Sequence, residues 1–338
     1  MAVVVKSSQE KFNGLRPLRS SSDLAQVAGL IESAFDAELD RGGREALQEL
    51  KTLSYLGPFL LLFELLSPEF RRSFSGFVWE EEGRIVGNVT INQVGRDARH
   101  WLISNIAVAK DYRRRGIARR LVLAALDHAR HHGGEWASLQ VRTDNEPAMK
   151  LYRSLGFEEM VAISDLKLQK ARPVAIISTA GFTLRLSRPE EWRKEYQLVK
   201  ASTSTKAQWV NPVRLSQFEP TLSRRLFQAI ARLFSNQRTH RLVIDGKGGF
   251  VALLIIHLGR WESEHRLEIF IHPDYRGQLE EILVTSALNI LSNFPSRPVS
   301  TRQTSDQPQL IETLKRYGFS EQRTLAHMRF DLTRPLPH

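Results

Sequence analysis

The stretch "NIAVAKDYRRRGIARRL" (residues 105–121) sets five arginines around a single glycine and then turns apolar. It begins inside "WLISNIAV" (101–108), which reads as a strongly apolar, central strand. A helix is expected from about Gly116, with Ile117, Leu121, Val122, Ala125 and Ala129 on one face and "HHGG" (131–134) as its stop. A strand thus hands over to a helix at Gly116. The first N–H groups of a helix lack intrahelical partners, and its dipole adds roughly half a positive charge there. Glycine lets the backbone approach an anion, Ala118 is small, and Arg113, Arg114, Arg115 and Arg119 supply forked donors. The pattern reads as a phosphate cradle. The plainer alternative is a solvated charge run. A nucleic-acid arm would interleave its basic residues with exposed aromatics or hold a basic face over several turns, and this cluster is short.

Composition narrows the setting. The 338 residues suffice for two domains, and 42% apolar with 25% charged residues is the balance of a globular protein. With no cysteine, disulfides, thiolate nucleophiles and Cys-ligated zinc are excluded together. The net charge of +11 favours anionic partners without naming one. The run "FLLLFELL" (59–66) is broken by Glu64 and too short to span a bilayer, and "MAVVVKSSQEKF" (1–12) lacks the apolar core of a signal peptide. A cytoplasmic protein with no membrane partner is expected.

Around this centre the elements alternate. Residues 75–95 read as two strands joined by a Glu-Gly turn, 136–141 as a strand, and 146–157 as a short helix with Pro147 early and Gly156 at its stop. Residues 169–180 read as a linker, beyond which the pattern recurs. "HPDYRG" (272–277) echoes "AKDYRR" (109–114), and "LKRYGF" (314–319) echoes "YRSLGF" (152–157). Tyr112 and Tyr275 stand 163 residues apart, Phe157 and Phe319 162. Two matches at nearly one offset indicate a duplicated domain. Helical insertions are expected early in each copy, around 43–66 and 217–235.

The first copy resembles the GNAT superfamily of acetyl-CoA-dependent N-acyltransferases. Arg113, Gly116 and Ala118 satisfy its cofactor signature, and Asn145, Ala148, Leu151, Tyr152, Gly156 and Phe157 satisfy its second. The resemblance implies an α/β fold of two GNAT-like domains, each a twisted, mixed, mostly antiparallel sheet with helices on both faces. It divides the chain into a catalytic domain (1–168), the linker (169–180) and a degenerate domain (181–338) that packs on the first. It also implies acetyl-CoA as co-substrate. The backbone of Ile106, Ala107 and Val108 would meet the pantetheine. Main-chain N–H groups across Arg114, Arg115, Gly116, Ile117, Ala118 and Arg119 would wrap the diphosphate. Asn145 would bond the cofactor arm, and Tyr152 would return a proton to the leaving thiolate. The acceptor is expected to be a small-molecule or peptide amine, not nucleic acid. Binding of acetyl-CoA without turnover is one alternative, and a tandem synthase acylating an amino-sugar or thiol-cofactor precursor is another.

Two features complicate this picture. The similar ribosomal-protein N-terminal acetyltransferases carry a Glu base where this chain has Gln140, which cannot take a proton. An amine of pKa near 10.4 is neutral in about 1 part in 2,500 at pH 7, a cost of about 4.6 kcal/mol. Glu64, Glu80, His100 and Asp144 are the substitutes considered. His128, His131 and His132 include an i, i+4 pair but equally suit a helix C-terminus, so no metal site is expected. "EEE" (80–82) reads as a solvated hairpin turn. In the second copy Leu279 stands in the place of Gly116, Glu280 and Glu281 bring negative charge to the helix start, and Leu314 replaces Tyr152. That half is expected not to bind the cofactor.

Overall fold

The computed structural model describes residues 12–35, 75–94, 99–175, 177, 181–219, 238–258 and 264–337. Residues 1–11, the insertion at 43–66 with Glu64, and that at 217–235 beyond residue 219 lie outside the described residues. By compactness the chain divides into two units. Unit 1 takes residues 1–140, 147–158 and 328–338; unit 2 takes 141–146 and 159–327. No helix among the described residues is long and apolar enough to cross a membrane.

Unit 1 is built from β1 (Gly14–Pro17), α1 (Ser20–Phe35), β2 (Gly76–Glu81), β3 (Arg84–Val94), β4 (His100–Val108), α2 (Ile117–His131), β5 (Trp136–Arg142) and α3 (Glu146–Ser154). Its strands run β1-β2-β3-β4-β5. All neighbours are antiparallel except β4 and β5. The β2–β3 hairpin turns through Glu82 (φ 51°) and Gly83 (φ 81°), the paired left-handed residues that a two-residue hairpin requires. Helix α2 buries Ile117, Leu121, Val122, Ala125, Leu126 and Ala129, the expected face plus one leucine. It lies close on β3: a Cβ at Gly87 would stand 2.9 Å from Ile117 Cγ2. From α1, Val27, Ala28, Leu30 and Ile31 pack with Val78, Ile85 and Ala107. Ala107 pairs with Asn88, next to Gly87, and successive strand residues point to opposite faces. Helices therefore cover both faces of the sheet.

Unit 2 repeats the plan with β6 (Glu158–Leu168), β7 (Leu184–Leu186), α4 (Trp192–Ser202), α5 (Thr205–Val210), β8 (Arg238–Gly246), β9 (Gly249–Leu258), β10 (His265–Ile271), α6 (Glu280–Leu291), β11 (Val299–Thr304), α7 (Pro308–Arg316) and the first part of β12 (Ser320–Asp331), whose residues from 328 onward are grouped with unit 1. Its strand order is β6-β11-β10-β9-β8-β7, with β12 on the other side of β6. Strand β9 shows why this sheet is covered on both faces. Leu253 and Ile255 join α4 (Leu198, Val199), whereas Ala252, Leu254 and Ile256 join α6 (Leu283, Ala287).

The repeat reaches further toward the N-terminus of each copy than its motifs reveal. In unit 1, Arg16 of β1 binds Asp23 through both terminal nitrogens (2.6 and 3.1 Å) and Glu80 through Nε (2.6 Å). In unit 2, Arg185 of β7 binds Glu191 (2.9 Å twice) and Asp245 (2.6 and 2.8 Å). The registers agree, because Arg16 faces Val78 and Arg185 faces Val243, each two residues before the strand carboxylate. Each clamp ties an edge strand to a helix start and to the neighbouring strand. Glu80 is thus a partly buried ion-pair partner and not part of a solvated turn, because its carboxylate completes the coordination of a guanidinium only 12% exposed.

Candidate active site

Local geometry puts Gly116 where the sequence reading placed it. After β4, Lys110–Tyr112 form one 3-10 turn, Arg113 is extended (φ −67°, ψ 159°), Arg114 is left-handed (φ 64°), and Gly116 is left-handed again (φ 77°) before α2 starts. A left-handed non-glycine residue costs of order 1–3 kcal/mol, so this turn is held by its surroundings. Arg113 Nε donates to the Val108 carbonyl (3.1 Å) and Arg115 to that of Asp111 (3.1 Å), while the Arg115 guanidinium sits 4.8 Å from the Tyr112 ring centroid. Two of the arginines thereby brace the turn itself. Among the described residues, a Cβ at Gly116 would meet nothing within 4 Å, and no acidic residue lies in the first turn of α2. Backbone dipole, open approach and basic surroundings suit a diphosphate.

Strand β4 opens beside this turn. It pairs with β5 only from His100 to Leu102 against Trp136 to Ser138, so Ile103–Val108 part from it. On its other edge the ladder with β3 is interrupted: Asn88 faces Ala107 but Thr90 faces Ser104, leaving Asn105 and Ile106 opposite Val89. This bulge puts Asn105 at φ 51°. Asn88, wholly buried, donates from Nδ2 to the Asn105 carbonyl (3.0 Å), while its Oδ1 has no partner among the described residues. A buried unsatisfied amide oxygen costs about 1–3 kcal/mol, and the Nδ2 bond ties Asn88 to the bulge backbone. The sequence reading missed both asparagines. The signal was there: each interrupts an apolar strand, and asparagine is enriched in left-handed backbone.

Of the sequence-predicted residues, Ile106, Ala107, Val108 and Arg113–Arg119 come together along β4, the turn and the start of α2. Tyr152, in α3 of the same unit, is 5% exposed and its ring packs edge-on against Phe157. Burial pushes its phenol well above the usual value, so it stays a neutral donor. Asn145 belongs to the 141–146 segment grouped with unit 2, where its N–H donates to the Arg142 carbonyl (3.1 Å).

The substitutes for a Glu base fare poorly. Glu80 is committed to Arg16. Asp144 is gripped by Arg142 (2.9 and 2.5 Å), whose hydrogen bonds hold its carboxyl below the usual range. His100 lies at the far end of β4, six residues before Ile106, which is ~20 Å at the strand rise; its Nε2 meets Ser138 Oγ at 2.7 Å. Gln140 is exposed on β5. The histidines form a stack: His128 and His132 lie 4.1 Å apart, and His128 also meets Trp101 and Phe77 edge-on. Burial first, and then His132, lowers the pKa of His128.

The chain, with its splayed mixed sheet and its glycine turn opening an amphipathic helix, is similar to known acetyltransferases. Residues 44–157 match the model of the acetyltransferase (GNAT) family, so the chain contains a segment of that family. Over 79 residues it is 42% identical to the N-alpha-acetyltransferase RimI of Mycobacterium tuberculosis, covering 23% of this chain and 48% of that protein. Over 53 residues it is 45% identical to the mycothiol acetyltransferase of Thermobifida fusca, covering 16% of each. The chain thus spans about half or less of the length of these curated relatives. Among solved structures, a GCN5-related N-acetyltransferase from Sphaerobacter thermophilus superposes with a TM-score of 0.58 at 15% identity, covering 96% of both chains. A tandem GNAT protein from the clavulanic acid biosynthesis pathway gives 0.50 at 16% identity, covering 96% of this chain and 99% of that one. These two likenesses concern the fold alone.

Proposed function

We propose that unit 1 is an acetyl-CoA-dependent N-acetyltransferase that passes the acetyl group directly to a primary α-amine, such as a peptide N-terminus or an amino-acid-like metabolite. The open, left-handed Gly116 turn beside a splayed β4 carries the reading. Main-chain N–H groups from Arg114 to Arg119 hold the diphosphate, and the bulged backbone at Ile106–Val108 orients the thioester arm. Acetyl-CoA supplies the activated carbonyl. The neutral amine attacks the thioester carbon and the C–S bond breaks; Tyr152 keeps its proton at neutral pH, donates it to the leaving sulfur and regains one from the acylated nitrogen, so that amine and thioester become amide and free thiol. With no cysteine in the chain, direct attack by the amine is the simplest route.

The acceptor follows from the missing base. An α-amine of pKa 7.7–8.0 needs only about 1 kcal/mol to become neutral at pH 7, against about 4.6 for a lysine amine. The candidate carboxylates among the described residues, Glu80 and Asp144, are both engaged by arginines, which favours the first. Likeness to an N-alpha-acetyltransferase supports this choice. Thiol release from acetyl-CoA with free-N-terminal peptides, N-blocked lysine peptides and small amino sugars tests it. The α-amines should react at least about tenfold faster. Equal rates, or faster lysine acetylation, would overturn the acceptor assignment. Tight acetyl-CoA binding without thiol release to any amine would instead favour a binding protein, the reading that Gln140 keeps open.

A further inference from the structure

The second turn copies the first until its last residues. Pro273–Tyr275 form the 3-10 turn, Arg276 is extended (φ −65°, ψ 141°), and Gly277 is left-handed (φ 82°) where Arg114 is. Strands β10 and β11 also pair over only three positions, His265–Leu267 with Val299–Thr301. The paths then part. Leu279, in the place of Gly116, is right-handed (φ −112°, ψ −8°) and wholly buried. Glu280, the first residue of α6, folds back: Oε1 accepts the Gly277 N–H (2.7 Å) and Oε2 the Leu279 N–H (3.1 Å). It is 4% exposed. The equivalent amides in unit 1 are those of Arg114 and Gly116. Glu281 does something else, accepting from Tyr317 Oη at 3.0 Å. The sequence reading took both glutamates as repulsive charge, but only one lies in the turn, and it is bound there.

We infer that Glu280 is the built-in anion of the second turn: its carboxylate occupies the two main-chain donors that a diphosphate would need, so the C-terminal repeat is closed to acyl-CoA and the chain takes one equivalent. Arg276 agrees with a closed turn, since it donates to the Asp306 (3.0 Å) and Ser202 (2.7 Å) carbonyls and is not directed to a ligand. The stoichiometry rests on the proposed role of Gly116; the occupation of the turn by Glu280 does not.

Amide hydrogen exchange in the full-length protein reads that occupation directly. In Glu280→Ala the Gly277 and Leu279 amides should exchange at least about tenfold faster than in the wild type, and millimolar inorganic pyrophosphate should slow them again. Pyrophosphate should leave these two amides unchanged in the wild type. Glu280→Gln, which keeps the shape and one acceptor, should fall between and serves if the alanine variant does not fold. Wild-type exchange rates in both variants, or slowing by pyrophosphate in the wild type, would overturn the inference. Calorimetric titration of the wild type with CoA should give one site per chain. Two sites would overturn it as well, whereas no site would refute the role of Gly116 and leave the exchange result to decide Glu280.

Discussion

The turns at Gly116 and Leu279 share an ancestry of shape and differ in what satisfies them. Each follows a splayed strand, contains one 3-10 turn and an extended arginine, and opens a helix packed on its sheet. The first leaves a left-handed glycine with open space above it; the second packs a leucine inward and folds a carboxylate onto its own amides. The strands before them differ in the same sense. The β3–β4 ladder is broken by the Asn105 bulge and held by Asn88, whereas β9–β10 runs unbroken from Ala252–Ile271 to His257–Arg266, with Leu253 facing Phe270 where Asn88 faces Ala107. In the second turn a buried leucine and an internal carboxylate take the places that are open in the first, where unsatisfied amides and voids would both cost stability.

The largest expected effect tests that contrast directly. Gly116→Glu should weaken acetyl-CoA binding by roughly a thousandfold in calorimetry, since it removes charge-assisted hydrogen bonds of about 1.5–3 kcal/mol each and adds like-charge repulsion. Gly116→Ala, strained at φ 77°, should weaken it less. Next come the paired clamps. Arg16→Met leaves Asp23 and Glu80 without their cation and should cost unit 1 about 3 kcal/mol in denaturant unfolding. Arg185→Met should cost less, because Asp245 is half exposed; equal losses would break the comparison. At α3, Tyr152→Phe should lower kcat about a hundredfold with little change in donor affinity, whereas Leu314→Met at the matching place in α7 should change neither. Asn88→Leu, which mimics Leu253, should lower kcat more than it raises the acetyl-CoA Kd.

The smallest effect is a pH dependence. The His128 pKa is depressed in the folded state, by burial first, so the unfolded chain takes up the proton more readily. Stability is therefore full above the unfolded value near 6.5 and declines as pH falls through the lowered folded value. His327 is depressed in the same direction, by burial and then by Arg302. His128→Phe and His327→Phe should each remove part of the loss in Tm between pH 7 and 5.

How much of this was legible depended on the range of the interaction. The α2 face, the Gly116 turn, the β2–β3 hairpin and the duplication rest on residues within a few positions of each other, and reading them needed only helical spacing, turn chemistry and two echoed motifs. Asn88 and Asn105 were visible as polar interruptions, but their bond joins residues on different strands. The role of Glu280 turned on a side-chain direction. Charge alone said repulsion, while geometry made the carboxylate a ligand of its own backbone.

The sequence by itself determined the family resemblance, the glycine turn at the start of α2 and the second copy's loss of its glycine, because local backbone preferences and apolar periodicity encode each of them. Only the tertiary structure decided that β6, the last strand of the first repeat, pairs with β11 in unit 2, from Val299–Leu168 to Thr304–Ile163, while Leu332, just past β12, donates its N–H to the Glu135 carbonyl in unit 1. It alone assembled each arginine clamp from three separate segments. The reason is physical: alternation along a strand says which side chains face the core, but the choice of hydrogen-bonding neighbour belongs to residues far along the chain.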